Sequence, residues 1–257
     1  MVPGQFPRIN RNVRRKGSNY MNRIVYMCLK SFWMVPPAWF KLCKYAKNTE
    51  KYSKQEMYDH IRFIMKQAVK SGNINLKVSG TERFPEEDGF LIYANHQGMF
   101  DAVAILAACE RPLSAVFKKE LSDIPFLKQV IACTDSYAMD REDIRQSMEV
   151  IMKTAKDVVE KKKNVLIFPE GTRSKNGNKM GEFHAGSFKC AQKAKCPIVP
   201  LVYIDSFNVL DKPGTDPMTV QMHFLEPIPY EEYKSMKTNE IAAMVKERIQ
   251  AVIDANT

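Results

Sequence analysis

The segment Phe90-Leu91-Ile92-Tyr93-Ala94-Asn95-His96-Gln97-Gly98-Met99-Phe100-Asp101 holds, in twelve residues, an apolar run, a polar turn and the start of a second apolar stretch. A short apolar run bounded by turn residues reads as a buried strand, and the stretch that opens at Asp101 predicts a helix over 101–109. A strand leading through a loop into a helix is the repeating unit of layered α/β domains.

The flanking sequence extends that unit in both directions. Ser53-Lys54-Gln55-Glu56 is a capping-box pattern, and Ile61, Ile64, Met65 and Ala68 lie on one face of the helix it starts, which should end at Ser71-Gly72. Residues 74–79 alternate apolar and polar as a half-exposed strand does, and 114–117 read as another strand. Apolar residues at 144, 148, 151, 155, 158 and 159 have a helical period and predict a helix over 142–162, with a strand following at 165–168. A helix over 186–195, strands over 197–204 and 220–224 and a last helix over 240–253 complete the alternation.

Two of the strands are followed by loops that carry chemistry, and α/β proteins place ligands beyond the carboxyl ends of strands. In the first loop, Asp101 stands five residues after His96 across a glycine turn. That spacing lets the carboxylate accept from one ring nitrogen and leaves the other to take a proton from a hydroxyl. The alternative is a satisfied helix cap. No Ser or Cys stands in a nucleophile-elbow pattern, so direct attack by an acceptor hydroxyl is favoured over an acyl-enzyme. The second loop is Phe168-Pro169-Glu170-Gly171-Thr172-Arg173-Ser174. Arg173 suits a phosphate, because its planar fork binds two oxygens at once. Glu170 is expected to hold Arg173 or to accept from a substrate hydroxyl, and the backbone near Gly171 offers amide donors. The bland alternative is a structural turn with a surface Arg.

Composition narrows the class of partner. The 257 residues are 45% hydrophobic, enough for a sizeable core, and carry a formal net charge of +10. That excess is confined to residues 1–51, which hold eleven Lys or Arg against the single acid Glu50. A nucleic-acid enzyme spreads positive charge around its site, whereas a basic arm joined to an apolar segment points to anionic lipid. None of the six cysteines forms a C-x-x-C pair and there are four histidines, so neither a metal site nor a disulfide framework is called for. Reduced thiols in a cytosol-facing compartment are expected.

The arm runs from Arg8, Arg11, Arg14, Arg15, Lys16 and Arg23 into an apolar stretch, 24–43, that contains both tryptophans, Trp33 and Trp39. A spanning helix needs about 20 mainly apolar residues, but Lys30, Pro36-Pro37 and Lys41 interrupt this one. Two short helices lying in the membrane interface are therefore expected. The chain divides on this reading into a basic, membrane-associating arm over residues 1–72 and an α/β domain over 73–257.

The two loops together, Asn95-His96-x-x-x-x-Asp101 followed by Phe168-Pro169-Glu170-Gly171-Thr172-Arg173-Ser174, resemble those of the PlsC-like 1-acyl-sn-glycerol-3-phosphate acyltransferases. Tyr137-Ala138-Met139-Asp140-Arg141 and Ile198-Val199-Pro200-Leu201 resemble two further blocks of that family, and Lys118 matches a family position near the site. The resemblance covers about residues 75–205. It implies the glycerolipid acyltransferase fold, with a mixed central sheet flanked by helices, and no cofactor. It also implies a reaction, in which an acyl group passes from a carrier-protein or coenzyme A thioester to lysophosphatidic acid, giving phosphatidic acid. His96 and Asp101 would be catalytic. Lys118, Arg141, Glu170, Gly171, Thr172 and Arg173 would contact substrate. The implied location is the cytoplasmic face of the cell membrane. One departure is His184, at a position often occupied by Lys in relatives. Rival readings are the same chemistry on another lysolipid or a non-catalytic lipid-binding module.

Overall fold

The computed structural model describes residues 22–257, so the basic residues Arg8 to Lys16 lie outside the described residues. The chain runs α1 (Arg23–Lys30), α2 (Val35–Lys47), α3 (Lys54–Ser71), β1 (Ile74–Ser79), β2 (Leu91–Ala94), α4 (Phe100–Ala108), β3 (Leu113–Lys118), α5 (Pro125–Thr134), β4 (Tyr137–Met139), α6 (Ile144–Glu160), β5 (Asn164–Ile167), α7 (Lys189–Ala194), β6 (Ile198–Ile204), α8 (Phe207–Leu210), β7 (Met218–Phe224), α9 (Tyr230–Tyr233) and α10 (Thr238–Asn256).

The seven strands form one sheet in the order β1-β7-β6-β2-β5-β3-β4. The five from β6 to β4 are mutually parallel, whereas β7 runs antiparallel to β6 and carries β1 parallel to itself. The sheet is therefore mixed, as the resemblance implies. β2 and β5 are buried at every residue, which is what a central parallel strand covered on both faces requires.

Alternation along each strand sorts its side chains between two cores. Leu91 and Tyr93 face Ile151 and Val158 of α6, Cys190 and Ala191 of α7, and Ile241, Val245 and Ile249 of α10. Ile92 and Ala94 face the opposite side, with Tyr58 of α3, Phe100 and Ala104 of α4 and Val209 of α8. A third cluster joins Leu42 and Tyr45 of α2, Ile61 and Met65 of α3, Ala107 of α4 and Val130 of α5. Helices thus flank both faces of the sheet, and α2 and α5 add an outer layer on the α3–α4 side.

Local chemistry explains most boundaries. Ser53 accepts from the Glu56 amide and starts α3. The Glu56 carboxylate accepts from the Tyr45 hydroxyl at 2.7 Å, tying α3 to α2. Asp143 accepts from the amides of Arg145 and Gln146 and starts α6. Pro36 and Pro37 interrupt the apolar N-terminal stretch as expected. They stand in the first turn of α2, where a proline's missing N–H is not needed. No described helix is long and apolar enough to cross a membrane. The region expected to be helical over 186–195 is split between a 3-10 turn, Ala185–Phe188, and α7.

Besides the short elements β4, α8 and α9, which the sequence pattern does not mark, two larger features depart from the sequence reading. Arg23, expected among the basic residues of the membrane-associating arm, is only 3% exposed. Its guanidinium donates to the carbonyls of Gly72 at 2.7 Å and Asp216 at 3.0 Å, which fastens α1 to the body. Helix α5 was not expected at all. It has no side-chain cap at its start, where Pro125 at the first position is the one start signal, and it ends at Asp135 in a left-handed conformation rather than at a glycine.

Candidate active site

The carboxyl ends of β2 and β5 lie side by side, since Tyr93 pairs with Ile167 in parallel register. The two loops that leave these ends are joined by a backbone hydrogen bond, Ser174 N donating to the His96 carbonyl at 2.9 Å. The His96 ring stacks on Phe168 with centroids 4.1 Å apart. His96 Nδ1 donates to Asp101 Oδ2 at 2.7 Å. With the proton held on Nδ1, Nε2 presents a lone pair. It makes no hydrogen bond to the described residues, and the side chain is 19% exposed.

Asp101 is fully buried in the first turn of α4 and orients more than the ring. Its Oδ2 also accepts from the backbone amides of Gln97 at 2.7 Å and Gly98 at 3.1 Å. Its Oδ1 accepts from the Ser206 hydroxyl, just before α8. The carboxylate thus organises the loop that precedes α4 as well as the ring, and it does not act as a cap of that helix, which has no side-chain cap. Asn95 fixes the start of the loop through a reciprocal pair with the Tyr203 backbone on β6, at 2.9 and 2.7 Å. Gln97 accepts from the Ser206 amide at 3.0 Å and donates to Asn178 at 2.8 Å.

Glu170 corrects one expectation. It does not hold Arg173. It is 3% exposed, and its two oxygens accept from the backbone amides of His96 at 2.7 Å and Gly181 at 2.8 Å. Burial raises its pKa, and the amides of His96 and Gly181 pull it back down. Its role is to clamp the two loops together. Arg173 is held instead by Asp211, at the end of α8, through an Nη1–Oδ1 ion pair. Gly171 takes a left-handed conformation, φ +66°, and its N–H is committed to the Phe168 carbonyl at 3.1 Å. A Cβ at this position would stand 3.2 Å from the His184 ring. The amides of Thr172 and Arg173 make no hydrogen bond to the described residues.

The remaining candidate cations continue along the same edge of the sheet. Lys118 ends β3 and is paired in register with Met139 of β4, two residues before Arg141. Lys118 forms an ion pair with Glu120 at 2.7 Å, and Lys119 with Asp140 at 3.7 Å. With strands about 4.8 Å apart, Lys118 lies two strands and Arg141 three strands from the end of β2. The structure therefore brings His96, Asp101, Glu170, Gly171 and Arg173 into immediate contact networks, and sets Lys118 and Arg141 further along the rim. Thr172 is exposed in the same loop.

Against this geometry, the family model described as Acyltransferase matches residues 75–204, just over half of the chain. The chain belongs to the acyltransferase family. Among the curated relatives, a Helicobacter pylori protein named 1-acyl-sn-glycerol-3-phosphate acyltransferase is 33% identical over 121 residues, 47% of this chain and 51% of that protein. A Saccharomyces cerevisiae protein of the same name is 28% identical over 180 residues, 68% of this chain and 59% of that protein. The matches thus span little more than half the length of these relatives. The crystal structure of the 1-acyl-sn-glycerophosphate (LPA) acyltransferase PlsC from Thermotoga maritima matches with a TM-score of 0.73 at 19% identity, covering 92% of this chain and 99% of that one. At that identity the likeness concerns the fold.

Sequence reading of this acyltransferase missed Ser206, Asp211 and the partners of Asn95 and Gln97. Ser206 and Asp211 lie between β6 and β7, in a stretch with neither periodicity nor a motif. The acyltransferase clamp at Glu170 gives a stability prediction. Glu170→Ala strands two backbone donors in a buried place, which costs about 2–4 kcal/mol. Urea denaturation with an unchanged m-value should show this as a lower midpoint. A loss well under 1 kcal/mol would mean that solvent reaches these amides.

Proposed function

We propose that this acyltransferase moves a fatty acyl group from a thioester, on carrier protein or coenzyme A, to the 2-hydroxyl of 1-acyl-sn-glycerol 3-phosphate, producing phosphatidic acid. The observation that carries the reading is an imidazole with Nδ1 bound to a buried carboxylate and Nε2 open, on a loop zipped to the one that bears Arg173. The names of the Helicobacter and yeast relatives support the choice of acceptor.

The chemistry follows from the geometry. His96 Nε2 takes the proton of the acceptor hydroxyl as its oxygen attacks the thioester carbonyl. The C–S bond then breaks, and the departing thiolate receives that proton from the imidazolium. Arg173 holds the phosphate by charge-assisted hydrogen bonds, with Lys118 and Arg141 further along the rim. The Gly171 amide is already engaged, so the free amides of Thr172 and Arg173 are the better donors to the developing oxyanion, an interaction worth ~3–4 kcal/mol in acyl transfer. An intact dyad argues against a non-catalytic lipid-binding module. The deciding test is a panel of lysolipid acceptors assayed with both donor types and read by mass spectrometry of products. Phosphatidic acid formed faster than any other product supports the assignment. Turnover of a different acceptor with none of lysophosphatidic acid overturns it.

We also infer that α1 and α2 lie on an anionic membrane, at the cytoplasmic face. Trp33 and Phe40 are each 71% exposed, and Leu29 and Phe32 are comparably bare. Aromatic side chains of this kind favour headgroup depth. All six cysteines are free, which fits a reducing compartment. Deleting the arm is a poor test, because Leu42 and Tyr45 belong to a core. Trp33→Glu with Phe40→Glu leaves that core alone. This double variant should lose most co-flotation with anionic liposomes while keeping its melting temperature within a few degrees. Unchanged flotation would refute the membrane contact.

A further inference from the structure

We propose that Asp211 is a positioning residue that sets where the acceptor's phosphate sits relative to His96. The proposal rests on the reading of Arg173 as the phosphate-binding residue. Three observations support it, all at the carboxylate of Asp211. Its Oδ1 pairs with Arg173 Nη1. Its Oδ2 accepts from the Met99 amide at 3.0 Å, in the loop that carries His96. That oxygen also lies so close to Gly98 that a Cβ on residue 98 would overlap it, and the Phe207 Cα would stand 3.1 Å away. Asp211 is thus seated on the His96 loop by one oxygen and reaches Arg173 with the other.

The same short segment touches the dyad at its opposite end. Ser206 precedes α8 and donates to Asp101, while Asp211 follows α8 and holds Arg173. The catalytic carboxylate and the phosphate-binding guanidinium are therefore spaced by one helical turn of protein.

Only Nη1 of Arg173 is engaged by Asp211, and Nε and Nη2 make no hydrogen bond to the described residues. A guanidinium keeps five donors in a fixed plane. Pinning one nitrogen fixes the direction of the others and leaves a free edge for two phosphate oxygens. Two effects of Asp211 oppose each other. Its negative charge weakens the attraction of Arg173 for a phosphate, but a partly exposed ion pair changes binding by no more than about five-fold. Holding Arg173 in register matters more, since losing one charge-assisted hydrogen bond to the phosphate weakens binding about ten-fold or more. Positioning wins, so removing the charge should weaken acceptor binding rather than strengthen it.

The test uses the full chain and measures KM for acceptor and donor separately. Asp211→Asn retains an acceptor for the Met99 amide and loses the ion pair. It should raise KM for lysophosphatidic acid about ten-fold and leave KM for the acyl donor within two-fold. Asp211→Ala should do the same and also lower kcat, because the His96 loop loses a tether. In an Arg173→Ala background, Asp211→Asn should add almost nothing. A merely structural role would change both KM values together and would multiply with Arg173→Ala, and either result overturns the proposal. An unchanged acceptor KM in a folded Asp211→Asn protein overturns it as well. Wild-type protein that acylates only a phosphate-free monoacylglycerol overturns both this proposal and the assigned acceptor. Normal wild-type use of lysophosphatidic acid with an insensitive Asp211→Asn overturns this one alone.

Discussion

Replacing His96 by alanine should lower kcat by on the order of 10³–10⁴-fold while leaving the fold intact. A positioned general base contributes about 10²–10⁴, and the same imidazole also returns the proton to the departing thiolate, so the upper part of that range applies. The fold should survive because the contacts that organise the loop belong to other atoms. The His96 amide is held by Glu170 and its carbonyl by Ser174, neither of which involves the ring. The substitution removes a stacking partner of Phe168, a modest cost for a partly exposed side chain. Steady-state turnover together with a thermal melt checks this. A folded His96→Ala protein with near-normal kcat would end the proposed mechanism.

Asp101→Asn should come second in size, at about 10²–10³-fold in kcat. In serine proteases the equivalent change costs about 10⁴-fold because the imidazole adopts the wrong tautomer. Here three donors converge on Oδ2, from the His96 ring and the amides of Gln97 and Gly98. That convergence keeps the asparagine carbonyl on their side and the correct proton on Nδ1. The amide nitrogen then faces Ser206, whose hydroxyl turns to donate to Gln97 Oε1, already 3.1 Å away. What disappears is the negative charge that stabilises the imidazolium as it forms. Asp101→Ala differs in kind, since it leaves several buried donors unpaired and should destabilise the fold as well. If Asp101→Asn lost 10⁴-fold or more with an unaltered melting temperature, the asparagine would have flipped and the convergence of donors would not control its orientation.

The parts of the site that could be read in the sequence are those whose partners lie close along the chain. His96 and Asp101 are five residues apart, and residues 168–174 form one continuous loop. Helix periodicity and strand alternation placed these loops at strand ends for the same reason, because both are short-range patterns. The supporting contacts are of another sort. Ser206 lies 105 residues from Asp101, and Tyr203 lies 108 from Asn95. Nothing local marks Asp211 as the partner of Arg173. For Glu170, an acid three residues before an arginine suggests a pair as one of two readings, whereas the turn at Gly171 directs the carboxylate inward, to the amides of His96 and Gly181. Arg23 illustrates the same limit at the N-terminus. Its charge suggests a place in the basic, membrane-associating arm, and only the folded chain brings the carbonyls of Gly72 and Asp216 within its reach.

The parallel run of β2, β5, β3 and β4 delivers the dyad and the three candidate cations, Arg173, Lys118 and Arg141, from four separate strand ends, so the site behaves like a ruler marked at intervals of about 4.8 Å. Variation within a loop shifts a side chain by a fraction of one division. Moving a cation from β5 to β3 shifts it by a whole one. Descendants of this scaffold should therefore change headgroup size in jumps, by recruiting the next strand, and adjust finely only around whichever mark is already in use.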